Sequence, residues 1–429
     1  MSHPKLVDRA CPFCGLACDD LTLAVEADGV TASGGACALA RSAYAQVGAT
    51  LGSAPRAWIA GQPAAPDEAL AEAGRLLAAA HAPLFGGLAT DVIGMRGVME
   101  LADHCGAVLD HMNAEGKLRN LRTVQDQGWI STTLSEVRNR ADLVVCFGSP
   151  IAARFPRFFE RCVWVDEAMF APAAEDRQVV CIGPRTEHAA AVSPGGREPD
   201  WIEVPLERLA EVAALLRGLA ARSLPARLDS DLPVAALAAL MERLRAARYG
   251  VVVWAAADLD WPQADLSVQA LTAAISTLNA ETRCAAMPLG GSDGDFSADA
   301  VLLWQTGYPF RTSLASGTGR YDPVGLSTDV LLRQQDVDLL LWISSFDPAR
   351  RPPAEARCPV LALTCVGTPV LPGAAVQICV ATPGVDAPGY LFRADKVVTL
   401  PLRASIDRQL PGVGELARRL LAGLGEAAC

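Results

Sequence analysis

The sequence lacks any long uninterrupted apolar run and carries few charged residues for its length. No stretch of the 429 residues approaches the roughly 18 consecutive apolar residues of a membrane-spanning helix. The first residues, MSHPKLVDRACPFC, also lack the apolar core of a signal peptide. We therefore expect a cytoplasmic protein with no membrane partner. Only 20% of the residues are charged and 51% are hydrophobic, so we expect partner subunits to cover part of the surface.

Positive charge and histidine are scarce as well. Lys and Arg number 37 against 48 Asp and Glu, and the net charge of −11 argues against nucleic acid as the main partner. No His-x-His pair and no convincing Cys–His dyad is present, so we expect no catalytic residue in this chain. We interpret His111 as a structural polar residue rather than a proton relay. The five histidines are His3, His81, His104, His111 and His188.

Cysteine, by contrast, is abundant, and four of the 13 cysteines are grouped near the N-terminus. In CPFCGLACDD, two residues separate Cys11 from Cys14 and three separate Cys14 from Cys18, and Cys37 follows after eighteen more. A tight turn can close two sulfurs on one ion while a distant segment completes a tetrahedron. The spacing therefore predicts a four-thiolate metal site. It does not decide between a [4Fe–4S] cluster and Zn²⁺, since both accept four cysteines.

The pattern along the chain predicts an α/β fold in three parts. Residues 1–57 are irregular except for a hairpin, LTLAVEADGVTAS, which would return Cys37 toward the other cysteines and whose turn is Ala27-Asp28-Gly29. From residue 66 onward, helical patterns alternate with short apolar runs, as in the βα units of a parallel sheet. We predict a small four-cysteine domain (1–57) and two doubly wound parallel-sheet domains (58–225 and 226–429), with the boundary near SLPARLDSDLP.

The predicted strands are compact apolar runs. Cys146 and Cys181 lie inside two of these runs, and we interpret them as small buried hydrophobic residues. The carboxyl ends of such strands line the crevice where doubly wound sheets bind ligands. The predicted strands are APLFGG, AVLD, ADLVVCFGSP (141–150), CVWVDE (162–167), RQVVCIGP (177–184), WIEVP (201–205), YGVVVWAAADLD (249–260), ADAVLLWQTGYP (298–309), VDLLLWISSFDP (337–348) and CPVLAL (358–363).

Several of these segments resemble a known family. CPFCGLACDDL followed by a fourth cysteine resembles the start of the B subunit of molybdenum or tungsten formylmethanofuran dehydrogenase, a relative of the molybdopterin oxidoreductases. The resemblance continues in RTVQDQGWISTTLSEVRNRADLVVCFGSP, RFPRFFER, WQTGYPFRTSLASGTGRYDP and GYLFRAD. It implies a molybdopterin-oxidoreductase-like fold, here without the C-terminal β-barrel that closes the pterin site in most of those enzymes.

The chain departs from the dehydrogenases at the metal ligand. In those enzymes a cysteine or selenocysteine followed by a histidine, just after a strand of the first α/β domain, ligates and flanks the metal. The matching stretch here, AVLDHMNAEGKLRN (107–120), has no sulfur ligand except the thioether of Met112, and Cys105 precedes the strand. A soft metal centre is not held by Asn or Glu in that role. We therefore expect no molybdopterin and no tungsten or molybdenum.

The same departure is typical of the B subunit of the formyltransferase/hydrolase complex of aerobic methylotrophs. This resemblance implies a complex that converts formyl-tetrahydromethanopterin to formate through a formyl-methanofuran-type carrier without redox chemistry. An amidohydrolase-like A subunit would hydrolyse the formyl group and a D subunit would transfer it. The present chain would be a non-catalytic scaffold whose partners are the A, C and D subunits.

The alternative is a redox-active molybdenum or tungsten formylmethanofuran or formate dehydrogenase that uses a different ligand. The four-cysteine site favours it, as do the Gly-rich loops PLGGSDGDF (288–296) and SGTGRYDP (316–323), which could cradle pterin phosphates. Arg311 and Arg320 are the basic residues of that cleft. We favour their pairing with Asp322 or another acid over phosphate binding.

Overall fold

The computed structural model describes residues 5–26, 29–49, 52, 54–170, 172–185, 189–224 and 231–427. The chain forms two compact units. The first unit comprises Met1–Ala114 and Gly291–Cys429, and the second comprises Glu115–Gly290. No helix among the described residues is both long and apolar enough to cross a membrane.

Strands and helices alternate over most of the chain. The strands are β1 Lys5–Arg9, β2 Leu21–Glu26, β3 Gly29–Gly34, β4 Ala57–Ile59, β5 Gln62–Pro63, β6 Pro83–Ala89, β7 Val108–Leu109, β8 Leu143–Phe147, β9 Gln178–Gly183, β10 Asp200–Glu203, β11 Gly250–Ala255, β12 Cys284–Leu289, β13 Thr312–Ser313, β14 Arg320–Tyr321, β15 Leu339–Ser344, β16 Val360–Thr364, β17 Val376–Cys379, β18 Gly389–Phe392 and β19 Thr399–Leu402. The α-helices are α1 Ala38–Val47, α2 Pro66–Ala79, α3 Val92–Cys105, α4 Ala114–Gln127, α5 Leu134–Arg140, α6 Ile151–Arg154, α7 Leu209–Ala220, α8 Val234–Ala246, α9 Ala264–Leu278, α10 Asp295–Thr306, α11 Thr328–Gln334 and α12 Val413–Ala427.

The first unit is built on a nine-stranded sheet in the order β14-β13-β7-β6-β15-β16-β17-β4-β5. Its centre, from β7 to β17, is parallel, and the outer strands pair antiparallel. Every residue of β6, PLFGGLA, is buried, as expected of a parallel strand covered on both faces. Side chains of α2, α3, α10 and α12 form the main core against this sheet. A three-stranded antiparallel sheet, β1-β2-β3, frames the cysteine segment.

The second unit holds a five-stranded, fully parallel sheet in the order β10-β9-β8-β11-β12. The chain builds this sheet outward from β8, first to one side and then to the other. The strand order therefore reverses between β8 and β11, which is the switch point of a doubly wound sheet. Residues of α7, α8 and α9 form its main core with the strands. The predicted α/β fold with parallel sheets is confirmed.

Two predicted strands are wrong. ADAVLLWQTGYP forms most of α10, because the buried positions Ala298, Val301 and Leu302 lie on one helical face while Leu303 is exposed. CVWVDE begins inside a π-helical turn, Phe159–Val163, and continues without strand structure. Short apolar runs of this kind have the composition of both element types, so periodicity alone does not separate them.

The compact units also differ from the predicted division at residues 57 and 225. The cysteine segment lies within the first unit, and the predicted strands of 58–225 are distributed over both sheets. Strand β6 pairs with β15, and β8 pairs with β11, across the predicted boundary. Strand pairing between distant segments has no local sequence signal, whereas the prediction followed chain order. Residues 225–230, around the predicted boundary, lie outside the described residues.

Candidate functional site

Three of the predicted metal ligands lie in the turn between β1 and β2. The Cys11 amide donates to the Cys18 carbonyl oxygen at 2.8 Å, and the Ala17 amide donates to the Cys14 carbonyl oxygen at 3.1 Å. These bonds close the turn around the cysteines. Cys11, Cys14 and Cys18 are all buried.

The fourth predicted ligand, Cys37, is the N-cap residue of α1. Its sulfur accepts a hydrogen bond from the Ala40 amide at 3.5 Å, and the residue is half-buried. The predicted hairpin before it is present, since β2 and β3 pair antiparallel. The predicted turn residues Ala27 and Asp28 lie outside the described residues.

The four thiols influence one another electrostatically. Burial raises the pKa of Cys14 to about 12; the neighbouring Cys18 and Cys37 add to this rise, and hydrogen bonds from backbone amides oppose it. The pKa of Cys11 is raised well above its usual value, first by burial and then by the other three cysteines. A cluster of thiolates is therefore costly here without a compensating cation.

Tyr44 on α1 packs beside this cluster. Its ring meets Phe13 edge to face, with the centroids 5.0 Å apart. Its hydroxyl is buried and has no hydrogen-bond partner among the described protein atoms. Burial and the neighbouring Cys11 raise the pKa of Tyr44 while Arg9 lowers it, so the hydroxyl remains a protonated donor.

The cysteine turn is attached to the rest of the first unit by close backbone contacts. Gly291 has a φ of +94°, and a Cβ atom there would lie 2.5 Å from the Gly15 Cα atom, so only glycine fits this approach. The Ala394 amide also donates to the Gly15 carbonyl oxygen at 2.6 Å.

Four cysteines are suitable ligands for the metal that the resemblance implies, although the described side chains are not arranged as a metal site. Within the described ranges, no group of three or more His, Cys, Asp or Glu side chains is arranged to hold a metal ion. Four cysteines in one small region are nevertheless the ligands that Zn²⁺ and iron–sulfur clusters prefer. The amides directed at Cys14 stabilise its thiolate. Ligation by the four cysteines stays a prediction.

The stretch 107–120 contains β7 and continues after it with polar side chains that have partners. His111 is buried, and its Nδ1 accepts from the Asn113 amide at 3.0 Å. Nδ1 is therefore an unprotonated acceptor, and Nε2 lies 3.3 Å from the Asp293 carbonyl oxygen, to which it donates. The Asn113 side chain donates to the Asp293 carboxylate at 3.0 Å and to the Ser292 carbonyl oxygen at 3.1 Å.

Asp293 joins this stretch to the loop 288–296. Its carboxylate is buried and accepts from Arg350 Nη2 at 2.5 Å. Burial alone would lower the pKa of Arg350, but the attraction and hydrogen bond of Asp293 raise it overall. Asp293 has a φ of +56°, a strained value for a residue with a side chain. Ser292, Asp293, Asn113 and His111 thus form one closed network, which we call the His111 network.

Asp110, just before His111, is the buried acid of this stretch whose pKa departs from its ordinary value. Its Oδ2 accepts from the Thr328 amide and hydroxyl, both at 2.8 Å. Arg311 Nε lies 3.5 Å from Oδ1. Burial raises the pKa of Asp110 to about 6, although Arg311 and Thr328 lower it. Arg311, which the sequence placed in a phosphate-binding or acid-pairing role, therefore pairs with an acid.

The remaining predicted positions are dispersed. The amides of Gly325 and Val324 lower the pKa of Asp322, and Arg320, exposed on β14, lowers it less. His104 lies in the last turn of α3. His3 and His188 lie outside the described residues.

Two features were missed in the sequence. The first is the partnership of Asp293 and Arg350 with residues 111–113, which joins segments more than 170 positions apart. The second is a cavity of about 350 Å³ at the carboxyl ends of β8 and β9, lined by Cys146 and Cys181. Both cysteines are buried, as predicted. The sequence pointed to the cavity only through the general rule that doubly wound sheets bind ligands at the carboxyl ends of their strands.

Comparison with known proteins gives relatives along nearly the whole chain, although no family model matches it. The chain is 28% identical over 412 residues to the B subunit of the tungsten-containing formylmethanofuran dehydrogenase 2 of Methanocaldococcus jannaschii, covering 92% of this chain and 93% of the relative. It is 27% identical over 372 residues to the B subunit of the formyltransferase/hydrolase complex Fhc of Methylorubrum extorquens, covering 85% and 96%.

Comparison with solved structures shows the same similarity. A chain in the crystal structure of the formyltransferase/hydrolase complex FhcABCD from Methylorubrum extorquens, determined with methylofuran, matches with a TM-score of 0.75 and 25% identity, over 87% of this chain and 99% of that one. Acetylene hydratase from Pelobacter acetylenicus matches with a TM-score of 0.61 at 10% identity, over 97% and 69%, which shows a shared fold alone. The resemblance predicted from the sequence is thus confirmed, and the chain is a homologue of the B subunits of formylmethanofuran dehydrogenase and of the formyltransferase/hydrolase complex.

Proposed function

We propose that this chain is a non-catalytic scaffold subunit of a formyltransferase/hydrolase complex. That complex would convert formyl-tetrahydromethanopterin to formate through a formyl-methanofuran-type carrier. Its A, C and D subunits would be the partners, and the transfer and hydrolysis sites would lie in the D and A subunits.

The observation that carries the proposal is the state of residues 107–120. This is the stretch in which the dehydrogenases would need a thiolate or selenolate, and here it offers Asp110 and the His111 network instead. Both ring nitrogens of His111 are engaged by backbone groups, and Asn113 is bonded to Asp293 and Ser292. Groups held in this way support the fold, and a soft metal would find no thiolate among them.

The four cysteines have a structural role in this proposal. Cys11, Cys14, Cys18 and Cys37 would hold Zn²⁺ or a [4Fe–4S] cluster, which would clamp the turn between β1 and β2 to the start of α1. The bound metal would supply the positive charge that offsets four buried thiolates.

The redox alternative has two supporting observations. The four cysteines are retained, and the 28% identity to the tungsten enzyme's subunit equals, within a percentage point, the 27% identity to the Fhc subunit. Overall identity therefore does not separate the two functions, and the local chemistry of residues 107–120 must do so.

Metal analysis of the purified complex tests the two functions directly. The scaffold proposal expects no molybdenum or tungsten by mass spectrometry, and stoichiometric tungsten or molybdenum would overturn it. An ultraviolet–visible spectrum of the same sample separates the two candidate metals, because only an iron–sulfur cluster absorbs broadly in the visible range and bleaches with dithionite.

A second test asks whether residues 107–120 take part in the reaction. Asp110→Asn and His111→Gln are introduced into the co-expressed complex, and formate release is measured alongside subunit stoichiometry. For variants that assemble, the proposal expects a rate within about twofold of the wild type. A loss of about a hundredfold or more in an intact complex would assign a catalytic role to this stretch.

A further inference from the structure

The cavity in the second unit lies where doubly wound sheets bind ligands. It has a volume of about 350 Å³ and opens at the carboxyl ends of β8 and β9, beside the point where the strand order reverses. Its walls include the apolar side chains of Phe159, Trp201 and Leu206. Nothing in the proposed scaffold function uses this cavity.

Two thiols line the cavity side by side. Cys146 on β8 and Cys181 on β9 are direct register partners on parallel strands, so their side chains project from the same face of the sheet. Neighbouring strands lie about 4.8 Å apart. This spacing falls within the Cα separations of about 4.4 to 6.8 Å that disulfides span. The pair is therefore placed for a bridge without a change of backbone register.

The surroundings of the pair favour an uncharged product. Asp258, the acid among the described residues that line the cavity, is already paired with Arg154 at 2.6 Å. A dithiolate holding a soft monovalent metal would leave a net negative charge against apolar walls, which is costly. A disulfide is neutral and carries no such cost.

We propose that Cys146 and Cys181 are an oxidative modification site, at which a low-molecular-weight disulfide that enters the cavity converts the two thiols into an intramolecular disulfide. The proposal does not depend on the scaffold function or on the metal.

The exchange runs in two steps. The thiolate of one of the two cysteines attacks the reagent's S–S bond, forms a mixed disulfide and releases one small thiol. The other cysteine then loses its proton, attacks the protein-bound sulfur of that mixed disulfide and displaces the second small thiol. Two electrons pass to the reagent, and the two protons end on the released thiols.

The test treats the full-length protein with 2-hydroxyethyl disulfide, blocks the remaining thiols by alkylation and maps the peptides by mass spectrometry. The expected result is a linkage of Cys146 to Cys181 in most chains, reversed by dithiothreitol. Cys365 and Cys379 provide an internal control, because burial raises the pKa of each to about 12 and neither lines this cavity. They should remain unlinked. A wild-type protein in which Cys146 and Cys181 stay reduced, or react no faster than the control pair, would overturn the proposal.

Two variants test whether the bridge needs both sulfurs. Cys146→Ser and Cys181→Ser each remove one sulfur of the register pair, so neither should form an intramolecular disulfide at this cavity. The cysteine that remains should instead hold the reagent as a mixed disulfide in at least one of the two variants. A remaining cysteine that links to a different cysteine as readily as Cys146 links to Cys181 in the wild type would overturn the proposal.

Discussion

The cysteine turn and the stretch 107–120 differ in how their buried polar groups are compensated. Cys11 and Cys14 are buried beside like groups that raise their pKa values. His111 and Asn113 are buried beside complementary donors and acceptors. The first arrangement would need a cation that the chain does not itself supply. The second is complete within the chain.

The largest expected effect is on the cysteine turn. Cys14→Ser should abolish metal binding and lower the free energy of unfolding by more than about 4 kcal/mol, because a closed four-cysteine site contributes folding energy directly. Metal content and urea denaturation of the metal-loaded protein measure both effects. Cys105→Ser is the matched control, since Cys105 is half-buried at the end of α3 and should keep the metal. Unchanged metal content and stability in Cys14→Ser would remove the contrast between the two regions.

The next largest effect is on the pH dependence of stability, and it arises from Asp110, whose pKa is raised by burial. Because its pKa is raised to about 6 from an ordinary 3.8, the folded protein holds this proton more tightly than the unfolded chain does. The contribution is favourable at low pH and is lost as the pH rises from about 4 to 6, by up to about 3 kcal/mol. Asp110→Asn should remove this dependence and equal or exceed the wild type in stability at pH 7. Urea midpoints at several pH values measure it, and parallel curves for the two proteins would contradict the raised pKa.

A smaller effect is expected from the ion pair that anchors the His111 network. Arg350→Ala leaves the Asp293 carboxylate buried without its cation, which should cost about 2 kcal/mol. The cost stays below that of a fully buried pair because the Arg350 side chain is 41% exposed. Chemical denaturation measures the loss, and the metal content should not change. Arg351→Ala serves as the control, since Arg351 donates to carbonyl oxygens of its own loop.

The smallest effect is predicted at Tyr44. Its hydroxyl has no partner among the described protein atoms, so Tyr44→Phe removes a desolvated group while the ring contact with Phe13 remains. In the metal-free protein the melting temperature should be unchanged or slightly higher. Tyr249→Phe is a matched control that loses a real hydrogen bond to Thr132 at 2.9 Å and should be destabilised. A loss at Tyr44 larger than at Tyr249 would mean that the hydroxyl does have a partner.

Much of the fold was predictable because its signals are local. The buried strands, such as β8, β11 and β15, are continuous apolar runs, and α2 begins at residue 66, where the helical patterns were predicted to start. The segment of α10 was wrongly predicted as a strand, because its apolar residues are dense enough to fit both the helical and the strand period. The compact units follow from which distant strands pair, and no local pattern in the sequence indicates that pairing.

The candidate site was likewise predictable only where its sequence signals are local. The spacing of Cys11, Cys14 and Cys18 is a local property, and the structure places these residues in one turn. The partners of His111 and Asn113 come from a loop far along the chain, so no motif spacing predicts that Asp293 and Arg350 lie beside them. The facing of Cys146 toward Cys181 depends on the register between two strands, which the apolar runs alone do not specify.

The discontinuity of the first unit has a consequence for protein synthesis. Strand β6 is complete at Ala89, but its partner β15 begins at Leu339. About 250 residues must be translated in between, which takes roughly 12 to 50 s at about 5–20 residues per second. The whole sequence of the second unit, Glu115–Gly290, is translated within that interval, so this unit can fold before the first unit is complete. The edge of β6 that pairs with β15 stays without its partner strand until β15 has been translated.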